Sequence, residues 1–132
     1  MASPLNGVRI LELGQFIAGP YAGLQLADLG ARVIKVERPG VGDPFREFGI
    51  PGLSANGYSH HFTAFNRNEL SLTVDLGKPG GQELFRRAAS KVDVVIQNYR
   101  PGVMKRLGID YDILSELNPR LVERLLAGVV EL

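Results

Sequence analysis

The sequence predicts an α/β fold, a Rossmann-like parallel sheet flanked by helices. Short apolar runs alternate with segments of helical periodicity, which is the pattern of strands joined by crossover helices. The run at residues 93–98 (DVVIQN) is apolar through its middle, as a buried parallel strand should be. Glycine and proline separate these runs, and a length of 132 residues suits one domain.

The first predicted unit is a strand, a helix and a second strand. Residues 8–13 (VRILEL) form a short apolar run that ends at Gly14. Pro20 is expected at the first helical position, where its missing N–H costs nothing. Gly30 lies where a helix commonly ends, and residues 32–37 (RVIKVE) form the second strand.

Residues 40–60 are rich in Gly, Pro, Asn and Ser without any period, and they predict a long loop. Loops of this length inside compact domains are usually functional. The remaining elements follow in order: a strand at 70–76, a helix at 78–91, a strand at 93–98, a helical turn at 101–107 and a helix capped by Asp110 or Asp112.

The composition narrows the function classes. The net charge is +1, so bulk charge favours neither nucleic acid nor a membrane as partner. There is no cysteine and only one adjacent pair of histidines, so neither a disulfide framework nor a metal site is expected. No apolar run approaches the roughly 20 residues of a membrane span, and no secretory signal is expected at the start. The default compartment is the cytoplasm.

The turn after the first strand does not match a nucleotide fingerprint. Its glycines fall at positions 14, 19 and 23, not as G-x-G-x-x-G, and Pro20-Tyr21 replaces the Lys-Ser/Thr of a P-loop. In one interpretation the backbone still approaches an anionic ligand at the helix start. In the other, which the spacing favours, the residues form a tight turn that only packs.

The ends of the predicted strands indicate a binding rim. Ligands of open parallel sheets lie beyond the carboxyl ends of the strands, which places Arg38, residues 75–78 and residues 98–100 along one edge. Arg106 follows nearby, and Tyr99 offers an aromatic face for a base. Because guanidinium forks match phosphate oxygens, the rim suits a ligand with several phosphates. The alternative for Glu37-Arg38 is a solvated pair at a strand end.

Four segments together resemble the N-terminal part of the class III CoA-transferase family, which includes formyl-CoA transferase, carnitine CoA-transferase and α-methylacyl-CoA racemase. They read PLNGVRILELG, AGPYAGLQLADLGARVIKVERPGVGDPFR, FTAFNRNELSLTVDL and VDVVIQNYRPGVMKRLGIDYDILSELNPRLV. The resemblance covers residues 4 to 122, and its most specific parts are LADLGA with VIKVERP and the later NYRPG.

The resemblance implies that coenzyme A, as a substrate, lies along the rim, with no metal involved. A glutamine that some members use near the thioester is replaced here by Ile17, with Gln15 nearby. Carried over position by position, the implied CoA contacts are Ile17, Ala18, Arg38, Val74, Asp75, Leu76, Gly77, Asn98, Tyr99, Arg100 and Arg106.

The resemblance also implies a reaction, the transfer of CoA between an acyl-CoA thioester and a carboxylic acid. The family's nucleophile is an aspartate well beyond the NPRLV segment, and no aspartate of this sequence matches it, so we assign no catalytic residue. Family members are interlocked dimers, which implies a homodimer or a partner chain. The alternatives are a non-catalytic CoA- or nucleotide-binding module and a structural piece that supports a partner chain.

The end of the sequence suggests a division of the chain. Residues 1–122 are predicted to form the CoA-binding domain. Residues 123–132 (ERLLAGVVEL) are similar to the family's C-terminal tail and predict a short helix. We therefore expect an internal deletion between Val122 and Glu123, or alternatively a truncated or frameshifted gene.

Overall fold

The structure, a computed structural model, describes residues 3–50, 54–55 and 57–125. Its strands are β1 (Arg9–Glu12), β2 (Arg32–Glu37), β3 (Ser54–Ala55), β4 (Tyr58–Ser59), β5 (Leu70–Thr73), β6 (Val94–Gln97) and β7 (Val122–Leu125). Its helices are α1 (Ala18–Asp28), a 3-10 turn η1 (Pro44–Arg46), α2 (His60–Phe65), α3 (Pro79–Ala89), α4 (Val103–Arg106) and α5 (Tyr111–Leu117).

The main sheet of the described residues has five strands in the order β5-β2-β1-β6-β7, and every pairing in it is parallel. The α/β fold predicted from the sequence is therefore confirmed, with one strand more than the four expected. Because the strands are parallel, their carboxyl ends lie at one edge of the sheet. That edge is where a ligand of this fold class would bind.

Side chains alternate between the two faces of the sheet, and each face has its own core. Ile10 and Val33 pack with Ala27 on the side of α1. Leu11 and Val95 pack on the other side with Phe85 of α3, whose side chain is fully buried. Burial on both faces explains why these strands read as almost continuous apolar runs.

The prediction that Pro20 occupies the first helical position is wrong, whereas the predictions for Gly30 and Asp110 are confirmed. Helix α1 begins at Ala18, so Pro20 is its third residue, still within the turn where backbone N–H groups lack helical partners. Gly30 adopts a positive φ of 100° after α1, as a residue following a helix often does. Asp110, rather than Asp112, caps α5 by accepting a bond from the Ile113 N–H at 3.4 Å.

The long loop predicted at residues 40–60 is wrong in part, because the segment contains short regular elements. Asp43 caps η1, the two-residue strands β3 and β4 pair antiparallel, and α2 begins at His60. Elements of two to six residues are too short to show a hydrophobic period, so composition alone suggested an unstructured loop.

The helix predicted from Glu123 is also wrong for the first residues of that segment. Val122–Leu125 form β7, in which Val122 pairs with Val94 and Leu125 with Gln97. The outer edge of β6 needs hydrogen-bond partners, and this tertiary pairing overrides a local pattern that favoured a helix. Residues 126–132 of the predicted tail lie outside the described residues. Strand β7 contains both Val122 and Glu123. The division of the chain after residue 122 and the internal deletion stay predictions.

Candidate functional site

A cavity of about 330 Å³ lies beyond the carboxyl ends of β1, β2, β5 and β6. Its wall comes from the turn after β1, the end of β2 with the loop that follows, residues 74–77 after β5, and Tyr99 and Leu107 beyond β6. Parallel strands and their connections thus bring distant parts of the sequence to one crevice, which we call the strand-end crevice.

The crevice gathers some of the predicted binding residues. Those that line it are Arg38, Val74, Asp75, Leu76, Gly77 and Tyr99. The other predicted residues lie outside its wall: Ile17 and Ala18 at the start of α1, Asn98 after β6, and the exposed Arg100 and Arg106. Arg106 immediately precedes Leu107, which does line the crevice.

The side chain of Asn98 forms hydrogen bonds within the protein. Its Oδ1 accepts a hydrogen bond from the Gln15 N–H, and its Nδ2 donates one to the Gln15 carbonyl, both at 2.8 Å. These two hydrogen bonds connect the turn after β1 to the end of β6. Asn98 therefore shapes the wall of the strand-end crevice through Gln15, which lines it.

The backbone N–H groups in the turn after β1 donate hydrogen bonds to side chains of the protein. The Gly14 N–H donates to Glu12 Oε1, the Gln15 N–H to Asn98 Oδ1, and the Phe16 N–H to Asp43 Oδ1 at 3.2 Å. A Cβ atom on Gly14 would collide with the backbone of Gly19, so this glycine spacing serves close packing. Three consecutive N–H groups are thus unavailable to an anion, which favours the packing interpretation of the turn.

A buried charge cluster lies beneath the turn. The Lys35 ammonium is 3.0 Å from Glu12 Oε2, 3.0 Å from the Gly14 carbonyl oxygen and 3.1 Å from Asp43 Oδ2. All three side chains are at most 3% exposed. Burial raises the pKa of Glu12 to about 7, although Lys35 opposes the rise. Burial alone would lower the pKa of Lys35, but Glu12 and Asp43 outweigh it and raise that pKa.

A second ion pair fastens the loop after β2. Arg46 donates to both carboxylate oxygens of Glu37, at 2.8 and 2.6 Å, and its guanidinium lies 3.9 Å from the centre of the Phe62 ring. The Asp43 N–H donates to Glu37 as well, at 2.9 Å. Burial would raise the pKa of Glu37, but the bonds from Arg46 and Asp43 lower it.

Two further groups near this cluster have raised pKa values. Burial raises the pKa of Glu69 to about 8, and the neighbouring carboxylate of Glu12 adds to the rise. Both carboxyl oxygens of Glu69 are buried without a hydrogen-bond partner among the described residues. Burial also raises the pKa of Tyr99 to about 12, so its phenol stays neutral and can donate a proton in a hydrogen bond.

The sequence reasoning missed Glu12, Lys35, Asp43 and Glu69. A signal was present for two of them, because Glu12 and Lys35 stand inside runs that were themselves predicted as buried strands. Charged side chains are almost never fully buried unless they are paired. An acid in β1 and a lysine in β2 therefore indicate a buried ion pair, although not its third member.

The wall of the crevice combines apolar and charged surface. Val36, Val74 and Leu76 give it apolar surface, and Arg38 adds an exposed cation at the end of β2. The acids beneath the turn are offset by Lys35. Over the described ranges of the chain, no cluster of His, Cys, Asp or Glu could hold a metal ion. None of the described helices is long and apolar enough to cross a membrane.

The parallel sheet, its flanking helices and a crevice beyond the strand ends define a Rossmann-like α/β domain whose ligand site has the usual place for this class. A sequence model described as CoA-transferase family III matches residues 5–128. The chain belongs to this family, which confirms the resemblance drawn from its motifs.

Individual relatives agree with the family assignment. The chain is 47% identical to a succinyl-CoA–D-citramalate CoA-transferase of Chloroflexus aurantiacus and 41% identical to the mouse succinyl-CoA:glutarate CoA-transferase. Both matches cover 90% of this chain but only 29% and 27% of those proteins. The crystal structure of a CAIB/BAIF family protein from Brucella suis has a TM-score of 0.86 at 41% identity, covering 93% of this chain and 33% of that one.

Proposed function

We propose that this chain forms part of a CoA-thioester site, and that the protein to which it corresponds transfers CoA between an acyl-CoA and a free carboxylic acid. The observation that carries the proposal is the strand-end crevice, where Arg38, the segment 74–77 and Tyr99 converge from three separate connections. CoA carries several phosphates and an adenine base, which suit a cation beside apolar and aromatic surface.

The substrate class follows from the named relatives. Succinyl-CoA appears in the names of the Chloroflexus and mouse enzymes, together with a second dicarboxylic acid. We therefore propose a CoA ester of a short dicarboxylic acid as donor and a dicarboxylic acid as acceptor. Two other functions remain as candidates, a non-catalytic binding module and a structural piece that needs a partner chain. Turnover of acyl-CoA would distinguish the proposed transferase from the binding module. Binding of CoA would distinguish it from the structural piece.

The described aspartates at the crevice do not supply a nucleophile. Asp43 is bound by Lys35 and by the Phe16 and Phe45 N–H groups. Asp75 accepts a bond from the Gly77 N–H at 3.0 Å and lies 3.6 Å from Lys78. A carboxylate that attacks a thioester must be free to approach the carbonyl. We therefore propose that the nucleophile of the whole protein comes from outside these 132 residues.

Titration calorimetry with CoA tests the binding proposal. We expect Arg38→Ala and Arg106→Ala each to weaken CoA binding about tenfold, because a charge-assisted phosphate contact is worth on the order of 1–2 kcal/mol. Added salt should weaken binding to the wild type further, since exposed charges are screened. Comparison with 3′-dephospho-CoA identifies the arginine that meets the 3′-phosphate.

Arg9→Ala is the matched control. It also removes one exposed arginine, but Arg9 begins β1 at the opposite edge of the sheet, where it pairs with Asp93 at 3.7 Å. Its CoA affinity should equal that of the wild type. Equal affinities in all four proteins would remove the strand-end crevice from the CoA site.

A further inference from the structure

The Lys35 ammonium joins three segments that are separate in the sequence. It contacts Glu12 in β1, the Gly14 carbonyl in the following turn and Asp43 in the loop after β2. An ammonium group has three N–H donors. Lys35 uses two of them on Glu12 Oε2 and the Gly14 carbonyl oxygen, whereas Asp43 Oδ2, 3.1 Å away, is held as an ion pair and has no hydrogen-bond partner among the described residues. We call Lys35, Glu12 and Asp43 the Lys35 cluster.

Asp43 extends this cluster to the next residues of the turn. Its Oδ2 faces Lys35, while its Oδ1 accepts from the Phe16 N–H at 3.2 Å and from the Phe45 N–H at 2.9 Å. Phe16 has a φ of +62°, a left-handed conformation that a bulky residue rarely adopts. Such a conformation persists only where its surroundings impose it, and here the Asp43 carboxylate binds the Phe16 N–H while the Phe45 ring packs against the Phe16 ring.

The charges of the cluster are not needed to fill the core. On β2, Lys35 lies between Ile34 and Val36, and an apolar side chain would occupy the same buried position. Replacing buried ion pairs by apolar groups often leaves stability unchanged or increases it. What an apolar side chain could not do is bind the Gly14 carbonyl and hold Asp43 beneath Phe16.

The cluster also borders the ligand site. Gly14, Gln15 and Asp43 all line the strand-end crevice, so a shift of the turn would change its wall. From these contacts we infer that Lys35 is a positioning residue, which through Glu12 and Asp43 holds residues 14–17 in the conformation that CoA requires before CoA arrives. The part of this inference that concerns CoA rests on the proposed function.

The test uses a charge-neutral double variant, Lys35→Met/Glu12→Gln, because Lys35→Met alone would leave two buried carboxylates unpaired. Gln at position 12 can still accept from the Gly14 N–H. Asp43→Asn is the second variant, because it keeps an oxygen for the Phe16 N–H but turns an amide towards the ammonium. Asp28→Asn is the matched control, since Asp28 pairs with Arg67 in an exposed position at 2.7 Å.

The first readout is amide hydrogen exchange of the protein without CoA. We expect exchange at Gln15 and Phe16 to accelerate at least tenfold in both cluster variants, while Val95 and Ile96 in β6 exchange as in the wild type. Unchanged exchange at Gln15 and Phe16 would overturn the inference. Acceleration throughout β6 as well would also overturn it, since it would show a general role in stability.

The second readout is CoA affinity, which we expect to fall at least fivefold in both cluster variants and not in Asp28→Asn. Arg38→Ala should show the converse pattern, weaker CoA binding with normal exchange at the turn. Affected exchange with undiminished CoA affinity would refute the link between the turn and CoA. Absence of CoA binding in the wild type would refute the proposed function, while the exchange result would still decide whether Lys35 positions the turn.

Discussion

Six ionisable side chains lie close together around the ends of β1 and β2, and burial raises the pKa of two of them, Glu12 and Glu69. Glu12, Glu37, Asp43 and Glu69 are the acids, and Lys35 and Arg46 are the cations. Two cations cannot neutralise four carboxylates in a region poor in water. The least satisfied acid is Glu69, whose carboxyl oxygens have no hydrogen-bond partner within the described part of the chain and whose pKa burial raises to about 8. We expect it to hold a proton at neutral pH.

This protonation predicts how stability depends on pH. The folded protein keeps the Glu69 proton up to about pH 8, whereas the unfolded chain releases it near the ordinary pKa of 4.5. The folded state therefore binds more protons between these values, so the free energy of unfolding falls as pH rises from 4.5 to 8. Glu12 and Glu37 face the same region and Lys35 partly offsets them.

Glu69→Gln should remove the part of this dependence that comes from Glu69 and leave the part that comes from Glu12, whose pKa is raised to about 7. Gln has the same size and does not titrate, so we expect the variant to exceed the wild type at pH 8.5 by on the order of 2 kcal/mol, after allowance for partial exposure. Urea unfolding at pH 5, 7 and 8.5 measures the effect. Glu83→Gln on the exposed face of α3 is the control. A wild type whose stability does not decline towards pH 8 would contradict the protonated state of Glu69.

At the scale of elements, the loop after β2 is fixed by side chains more than by regular structure. Arg46 in η1 returns to Glu37 at the end of β2, and its guanidinium packs on Phe62 of α2. Phe45 lies next to Phe16 at 5.2 Å between ring centres and next to Phe48 at 5.6 Å. One arginine therefore connects a strand, a 3-10 turn and a helix that are not joined to one another by β-pairing.

Arg46→Gln should destabilise the protein by about 2 kcal/mol, because it leaves the buried Glu37 carboxylate without its cation. The lowered pKa of Glu37 in the wild type contributes stability that is present above its unfolded value and lost as pH falls through its folded value. Stability below that window should therefore differ little between variant and wild type. Denaturant unfolding at pH 7 and pH 3 provides the measurement.

The control for this prediction is Arg67→Gln. Arg67 makes a similar two-pronged bond to Asp28, but on an exposed surface, where water screens the two charges and the pair contributes little to stability. Equal losses in the two arginine variants at pH 7 would mean that burial of Glu37 does not matter.

At the scale of the whole molecule, the domain offers a crevice for a ligand, but the residues that the structure describes offer no candidate nucleophile beside it. We propose that the strand-end crevice holds CoA, but acyl transfer also needs a free carboxylate and donors for the developing oxyanion. Of the aspartates outside the crevice, Asp28 and Asp93 are paired with Arg67 and Arg9. Asp110 caps α5, and Asp112 is exposed in the first turn of that helix. The relatives, of which this chain spans less than a third, have additional sequence to supply those groups.

We therefore expect the 132-residue chain by itself to show no acyl-CoA:carboxylate transfer. Removal of a nucleophile leaves only the small rate that binding supports. The measurement is incubation with succinyl-CoA and labelled glutarate, followed by hydroxylamine trapping and mass spectrometry. An acyl adduct on any aspartate of the chain, or turnover above an empty-vector control, would disprove the prediction.

The sequence by itself determined the order of β1, α1, β2, β5, α3, β6, α4 and α5 and the residues that follow these strands. Strands β2 and β6 fall within one residue of their predicted bounds at each end, because a strand buried on both faces leaves a clear apolar run between glycine and proline signals. The parallel topology placed Arg38, residues 75–78 and residues 98–100 on one rim. Of these, Arg38, residues 75–77 and Tyr99 line one crevice, whereas Lys78, Asn98 and Arg100 do not.

Only the tertiary structure decided how the polar groups are paired. The sequence predicts Asn98 as a CoA contact, but it could not show that the Asn98 amide binds Gln15, 83 positions away. The Lys35 cluster and β7 likewise depend on partners distant in the chain. The physical reason is that hydrophobic periodicity is a local property of the sequence, whereas the partner of a buried charge or of a strand edge is set by which segments the fold brings together.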